Sequence, residues 1–174
     1  MAQEMDGGAG ASTLLTPGKA ALTLLLMVVI FGVYIAGTLA LGLSASYAGF
    51  VFLTYWAGFR GAENAEFVPG LVGSLGALVI CWLLQIGPER LGPAGFAPAM
   101  VLILLSIFCL LCGWLPVLFN MGLMLMLTVA SIPPLAATHP LPDMALCTVL
   151  GAAYFGGLKL AAESFGRRRA ATAQ

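Results

Sequence analysis

The sequence predicts an all-α integral membrane protein with about six transmembrane segments, and three observations predict it. Of 174 residues, 61% are hydrophobic and 8% charged, with a mean hydropathy of +1.04, whereas an ordinary soluble domain is about 25% charged. A water-soluble fold of this length could not cover itself with so few charges. The apolar residues also fall in long runs broken by Gly, Pro and short charged loops. Finally, the basic residues are unevenly placed: Lys19, Arg60, Arg90, Lys159, Arg167, Arg168 and Arg169, four of the seven within the last sixteen positions. The formal net charge is zero, which gives no reason to expect nucleic acid. The expected partners are the lipid bilayer, further copies of the chain and a larger membrane complex.

Residues 1–18 are small, polar and Gly-rich and read as a flexible tail. Ala20 to Leu43 is long enough to span a hydrocarbon core of ~30 Å at 1.5 Å per residue. A signal peptide cut near Ser44-Ala45-Ser46 is the alternative, and the run is expected to remain in the chain. Ser46 to Phe59 is short for a span, so it either crosses with little tilt or enters and turns back where protein covers it. Next comes the densest internal charge, Arg60, Glu63 and Glu66. A third helix follows from Phe67 to Ile86, with Pro69 in its first turn, where the missing N–H does no harm.

A plain turn is expected at Gly87–Pro93. The apolar stretch Phe96 to Ile132 is too long for one crossing and is interrupted at Gly113-Trp114-Leu115-Pro116, giving helix four (Phe96 to Cys112) and a short segment five (Pro116 to Ile132). Pro133 to Pro142 reads as a stiff surface loop. Helix six runs from Asp143 to Ala162, with Asp143 favoured in its first turn by the macrodipole. The transmembrane domain is thus 19–163, and 164–174 is a basic tail.

Six crossings place both termini and the Arg60 loop on one side, with Arg90 on the other, so the positive-inside rule puts both termini in the cytoplasm. Five spans, with segment two re-entrant, move the N-terminus outside. The halves 19–86 and 96–163 share an order: long helix, short segment carrying Leu-Thr (Leu53-Thr54, Leu127-Thr128), loop, then a Gly- and Ala-rich helix begun near a Pro and an acid. Three crossings per half make this a 3+3 inverted repeat.

A W-A-G-F signature (Trp56-Ala57-Gly58-Phe59), the Gly-rich helix soon after it and the small-residue terminal helix with its basic end resemble a family of small bacterial inner-membrane proteins grouped under domain of unknown function 1097. The resemblance covers residues 20–165. It implies an inner-membrane placement and no substrate, the family's function being unassigned. The longer N-terminal tail and the charged loop Arg60 to Glu66 depart from it.

The candidate solute pathway lies between the two short segments, lined by Thr54, Tyr55, Trp56, Asn120 and Thr128, with Glu63 and Glu66 at its mouth. Each has a plainer reading. Tyr55 and Trp56 suit an interfacial belt, Glu63 and Glu66 a solvated loop paired with Arg60, and Asn120 a hydrogen bond between helices. Threonines bond their own helix carbonyls. Gly70, Gly73, Gly76, Ala153 and Gly157 are expected at helix contacts, because small residues let backbones approach.

The four cysteines sit in apolar runs and lack a second ligand pair at metal spacing, so neither a metal nor a cofactor is expected. His139 reads as a bystander in an exposed loop, and no nucleophile, base and orienter fall together in sequence, which argues against an enzyme. The function expected is a channel or transporter for a small solute, and the alternative is an accessory subunit of a membrane complex.

Overall fold

The computed structural model describes residues 17–172, and no strand occurs among them. Its helices are α1 (Pro17–Ala40), α2 (Tyr47–Leu53), α3 (Phe67–Leu91), α4 (Phe96–Cys112), α5 (Met121–Ala130), α6 (Pro133–Thr138) and α7 (Leu141–Thr172). A π-helical turn, Thr54–Phe59, continues α2, and 3₁₀ turns at Asn64–Glu66 and Gly92–Gly95 lead into α3 and α4. Three helical stretches are long and apolar enough to cross a membrane: Gly18–Ala40, Asn64–Cys112 and Leu141–Arg168. The second, 49 residues long, folds back on itself. Gly92 takes a left-handed φ of +62°, and the backbones of Gly87 and Gly95 meet so closely that a Cβ on either would strike the other's carbonyl. That close approach is open only to glycine.

The chain divides at Val33 into two units. The described part of the first is the beginning of α1, whose large side chains Leu22, Leu24, Leu25, Leu26, Val28 and Val29 are all exposed. The expected tail lies outside the described residues except for Pro17 and Gly18, which open the helix.

In the second unit, α2 packs mainly against α7 and α5 mainly against α3. Each crossing is made close by glycine. On the first, a Cβ at Gly151 would lie 2.7 Å from the Gly49 Cα; on the second, one at Gly76 would lie 2.8 Å from Cδ1 of Leu118, in the turn leading into α5, and 3.7 Å from Leu123 Cδ1 in α5 itself. The core between these pairs is apolar and includes Ala48, Ala77, Leu78, Cys81, Leu123, Met126, Met144 and Cys147. Tyr47 and Met121 begin the two short helices, and Phe67 and Leu141 begin the two long ones; each pair is separated by the same 74 positions.

The connections gather at two ends of this unit. Lys159 of α7 donates to the Ala62 carbonyl and to Asn64, and Asn120 donates to the Pro69 carbonyl, so the 60–66 and 113–120 connections share one end with the later part of α7. At the other end Ser44 meets His139 and Asp143, and Phe96 and Pro133 line one small cleft. Both short segments therefore run from end to end, although the ten residues of α5 cover only ~15 Å.

Several boundaries differ from expectation. α3 continues to Leu91 with Pro88 in its last turns, so the reversal is made at 92–95. Segment five is helical only from Met121, because left-handed Gly113 (φ +66°) and Leu115 (φ +49°) first turn the chain. The Pro-rich connection forms the short α6, its prolines occupying first-turn positions that need no N–H. α7 does not stop at Ala162 but continues through the basic segment to Thr172, where Ala, Glu and Arg favour helix and no Pro intervenes.

Candidate functional site

The π-helical turn sets the site by changing which way successive side chains face. Tyr55 and Trp56 are buried, whereas Thr54 is exposed and its hydroxyl donates to the Phe50 carbonyl at 2.8 Å. Gly61 and Ala62 then adopt left-handed φ values of +57° and +59°, which swing the chain round and return Glu66 to Arg60. Arg60 Nη2 lies 2.7 Å from Glu66 Oε1, and the Tyr55 hydroxyl donates to Glu66 Oε2 at 2.9 Å. One carboxylate thus joins the loop, the short segment and the start of α3. The Tyr55 hydroxyl, followed by the Glu66 charge, raises the Arg60 pKa above its ordinary value, so the guanidinium stays charged.

Asn120 closes the other side. Its Oδ1 accepts from the Leu123 N–H at 3.2 Å, capping α5, and its Nδ2 donates to the carbonyls of Pro69 (2.8 Å), Val117 (3.1 Å) and Pro116 (3.2 Å). Gly73 leaves the room, since a Cβ there would sit 2.5 Å from Asn120 Oδ1. Between these groups opens a cleft of about 510 Å³, lined by Tyr55, Arg60, Glu66, Pro69 and Asn120 with Leu110, Phe119 and Met121. It offers a cation, a carboxylate, a phenol and an amide against apolar walls, a set suited to orienting a small polar molecule.

Of the expected pathway residues the cleft unites Tyr55, Glu66 and Asn120. Trp56 faces a separate groove of about 370 Å³ with Phe67, Lys159 and Gly156, and its Nε1 donates to the Glu63 carbonyl at 2.8 Å. The Glu63 and Thr128 side chains are exposed, Thr128 bonding the Met124 carbonyl of its own helix at 2.8 Å. Behind the cleft the short segments close on apolar atoms: a Cβ at Gly122 would lie 3.2 Å from the Tyr55 ring, and Leu123 and Met126 are buried beyond it.

Among the expected packing residues, Gly70 lies under Tyr55, Gly73 under Asn120 and Gly76 under Leu118. On α7 the inward small pair is Ala152, which is buried, and Gly156, which lies under the Phe67 ring; Ala153 is exposed and Gly157 has nothing within 4 Å of an added Cβ.

Two features escaped the sequence. Arg60 entered it only as an ion-pair partner, yet it lines the cleft. At the opposite end Ser44, His139 and Asp143 converge from three segments: Ser44 Oγ is 3.2 Å from Asp143 Oδ2 and 3.0 Å from His139 Nδ1. The sequence offered no signal for that meeting, because 95 positions separate Ser44 from His139. The serine stands between the two other groups, unlike a hydrolytic triad, in which histidine takes that place. No cluster of three or more His, Cys, Asp or Glu suited to a metal occurs among the described residues. No family model, curated protein or solved structure matches the chain.

Proposed function

We propose that this protein is a small channel or transporter for a small, neutral or weakly polar solute, built as an inverted repeat and assembled as a homo-oligomer in a bacterial inner membrane. The observation that carries the reading is the cleft at the Arg60 end, where Tyr55, Glu66 and Asn120 face one cavity at the ends of two short segments. Sites where half-length helices end against one another suit solute binding in membrane folds.

The crossings are supported by the end-to-end course of the segments of the second unit, and the orientation by charge. Arg60, Lys159, Arg167 and Arg168 belong to the cleft end and Arg90 to the other, which supports a cytoplasmic cleft end; both termini are proposed to lie in the cytoplasm. The repeat is supported by the common 74-residue offset and by each half's short helix packing on the other half's long one. Thr54 and Thr128, equivalent under that offset, bond the equivalent carbonyls of Phe50 and Met124. Exchange between two such packings would close the cleft and open the opposite end, where α3, α4 and α5 already leave a cleft of about 260 Å³. Membership of the family grouped under domain of unknown function 1097 belongs to the same proposal and adds no substrate.

Uptake into liposomes by the purified protein tests it. Flux of urea, ammonium, a carboxylate or water above that of empty vesicles, reduced by Arg60→Gln and Glu66→Gln, is the expected result; flux no greater than empty vesicles for all four overturns it. A second reading, an accessory subunit of a larger membrane complex, draws on the exposed apolar side chains of early α1 and the open Ala153 and Gly157 strip. Native mass measurement after mild extraction separates them: a symmetric oligomer supports transport, and a fixed second protein supports the accessory role.

A further inference from the structure

The groove beside Trp56 has no part in the cleft and faces outward from α7. Its floor is Ala152, Ala153, Gly156 and Gly157, its walls are the Trp56 and Phe67 rings, and Lys159 stands at its end. The walls are fixed in place: the rings meet edge to face at 5.1 Å, and the Glu63 carbonyl holds Trp56 Nε1. The Lys159 ammonium is anchored by Ala62 and Asn64 and lies 5.5 Å from the Trp56 ring centre. Farther along α7, on the face that carries Gly156 and Leu160, is the exposed Arg167, about 16 Å beyond Gly156 at 1.5 Å per residue. The slot is therefore apolar along its length and basic at one end.

We infer that this groove holds the acyl chain of an anionic phospholipid, with the headgroup at Lys159 and Arg167. The inference rests on the membrane placement proposed above. Shape favours a single acyl chain: the groove is walled by the Trp56 and Phe67 rings, floored by four small residues of α7 and offers about 370 Å³. Charge selects the headgroup, because Lys159 and Arg167 outnumber Glu163, which lies 3.5 Å from Lys159, and basic pockets beside membrane helices favour anionic lipids. Gly157 leaves the groove open where any larger side chain would occupy it.

The full chain in mild detergent, titrated with phosphatidylglycerol or phosphatidylcholine of identical acyl chains and read by native mass spectrometry, tests the site. Phosphatidylglycerol is expected to be retained in preference. Lys159→Gln and Arg167→Gln should each weaken that preference about five-fold, while Gly157→Leu, whose Cβ meets nothing within 4 Å, should displace both lipids with the helix intact by circular dichroism. Ala153→Leu repeats the filling from an adjacent position. Equal retention of the two lipids by the wild-type chain overturns the inference, as does a wild-type dimer that Gly157→Leu splits, which would assign the groove to a second copy. Resistance to alkaline carbonate extraction reports the membrane placement separately, so loss of preference in a carbonate-resistant protein removes the lipid site alone.

Discussion

Asn120 Nδ2 donates to the Pro69 carbonyl at 2.8 Å, joining the cap of α5 to the first turn of α3 across 51 positions of sequence. The same amide caps α5 through Oδ1 and reaches two more carbonyls, so one side chain does what water does at exposed helix ends. Asn120→Ala removes a cap worth about 1 kcal/mol and the bond to the Pro69 carbonyl, worth about 0.5–1.5 kcal/mol net; the carbonyls of Pro116 and Val117 lie at exposed residues and turn to water. The expected loss is about 1.5–2.5 kcal/mol, seen as a clear fall in Tm in detergent. Asn120→Ser keeps a capping oxygen and loses the reach to Pro69, so it should fall less than Asn120→Ala; equal falls would show that the cap carries nothing.

Two glycines on long helices should respond oppositely to the same substitution. A Cβ at Gly73 would sit 2.5 Å from Asn120 Oδ1 and must push the amide off its carbonyls, so Gly73→Ala should lower Tm and approach the effect of Asn120→Ala. Gly157→Ala meets nothing and gains about 0.4–1 kcal/mol from reduced unfolded-state freedom and better helix propensity. Thermal unfolding of both variants checks this, and a shift of the same sign in both would contradict the packing described.

These two glycines also show how far the sequence could be read. Gly70, Gly73 and Gly76 announce a strip of close approach because their three-residue spacing is local to one helix. On α7 two overlapping small pairs occur, and only the facing of the helix, set by Gly49 and Phe67, selects Ala152 and Gly156 for the inward side. The apolar runs and the chain breaks were legible for the same local reason. That Asn120 bonds a neighbouring helix was legible from its polarity in an apolar segment, but its cap on α5 and its choice of the Pro69 carbonyl were hidden, because they depend on where the turn after Gly113 ends, and left-handed Leu115 is not a residue that advertises such a turn. Tyr55 and Trp56 both lie in the π turn, and as neighbours on a helix they point to different sides and line different cavities; which cavity each meets depends on tertiary packing.

At the α2–α7 crossing Gly49 lies against the Tyr34 ring and the Cys147 carbonyl, which the Tyr34 hydroxyl bonds at 2.8 Å. Tyr34→Phe gives up this buried bond, at about 0.5–1.5 kcal/mol. Gly49→Ala should be more damaging, since its Cβ would meet both the hydroxyl and, at 2.9 Å, the carbonyl oxygen. Removing the hydroxyl relieves one of those clashes. The double variant should therefore be less destabilised than the sum of the two single variants, in a double-mutant cycle read by thermal unfolding. Strict additivity would mean that the hydroxyl is not what Gly49 accommodates.

Ser74 is wholly buried in α3 and its Oγ has no hydrogen-bond partner. Ser106 and Thr148 show what a buried hydroxyl ordinarily does in this fold, each bonding a carbonyl four residues back at 2.7 Å. Leaving Ser74 unbonded costs about 1–3 kcal/mol, so Ser74→Ala should raise Tm. The residue lies one turn beyond Gly70 in α3. If the hydroxyl serves the proposed solute, Ser74→Ala raises Tm and lowers liposome flux together, the pattern of a group kept for activity at the expense of stability. A rise in Tm with flux unchanged removes Ser74 from the pathway, and a fall in Tm shows that the hydroxyl has a partner inside the protein after all.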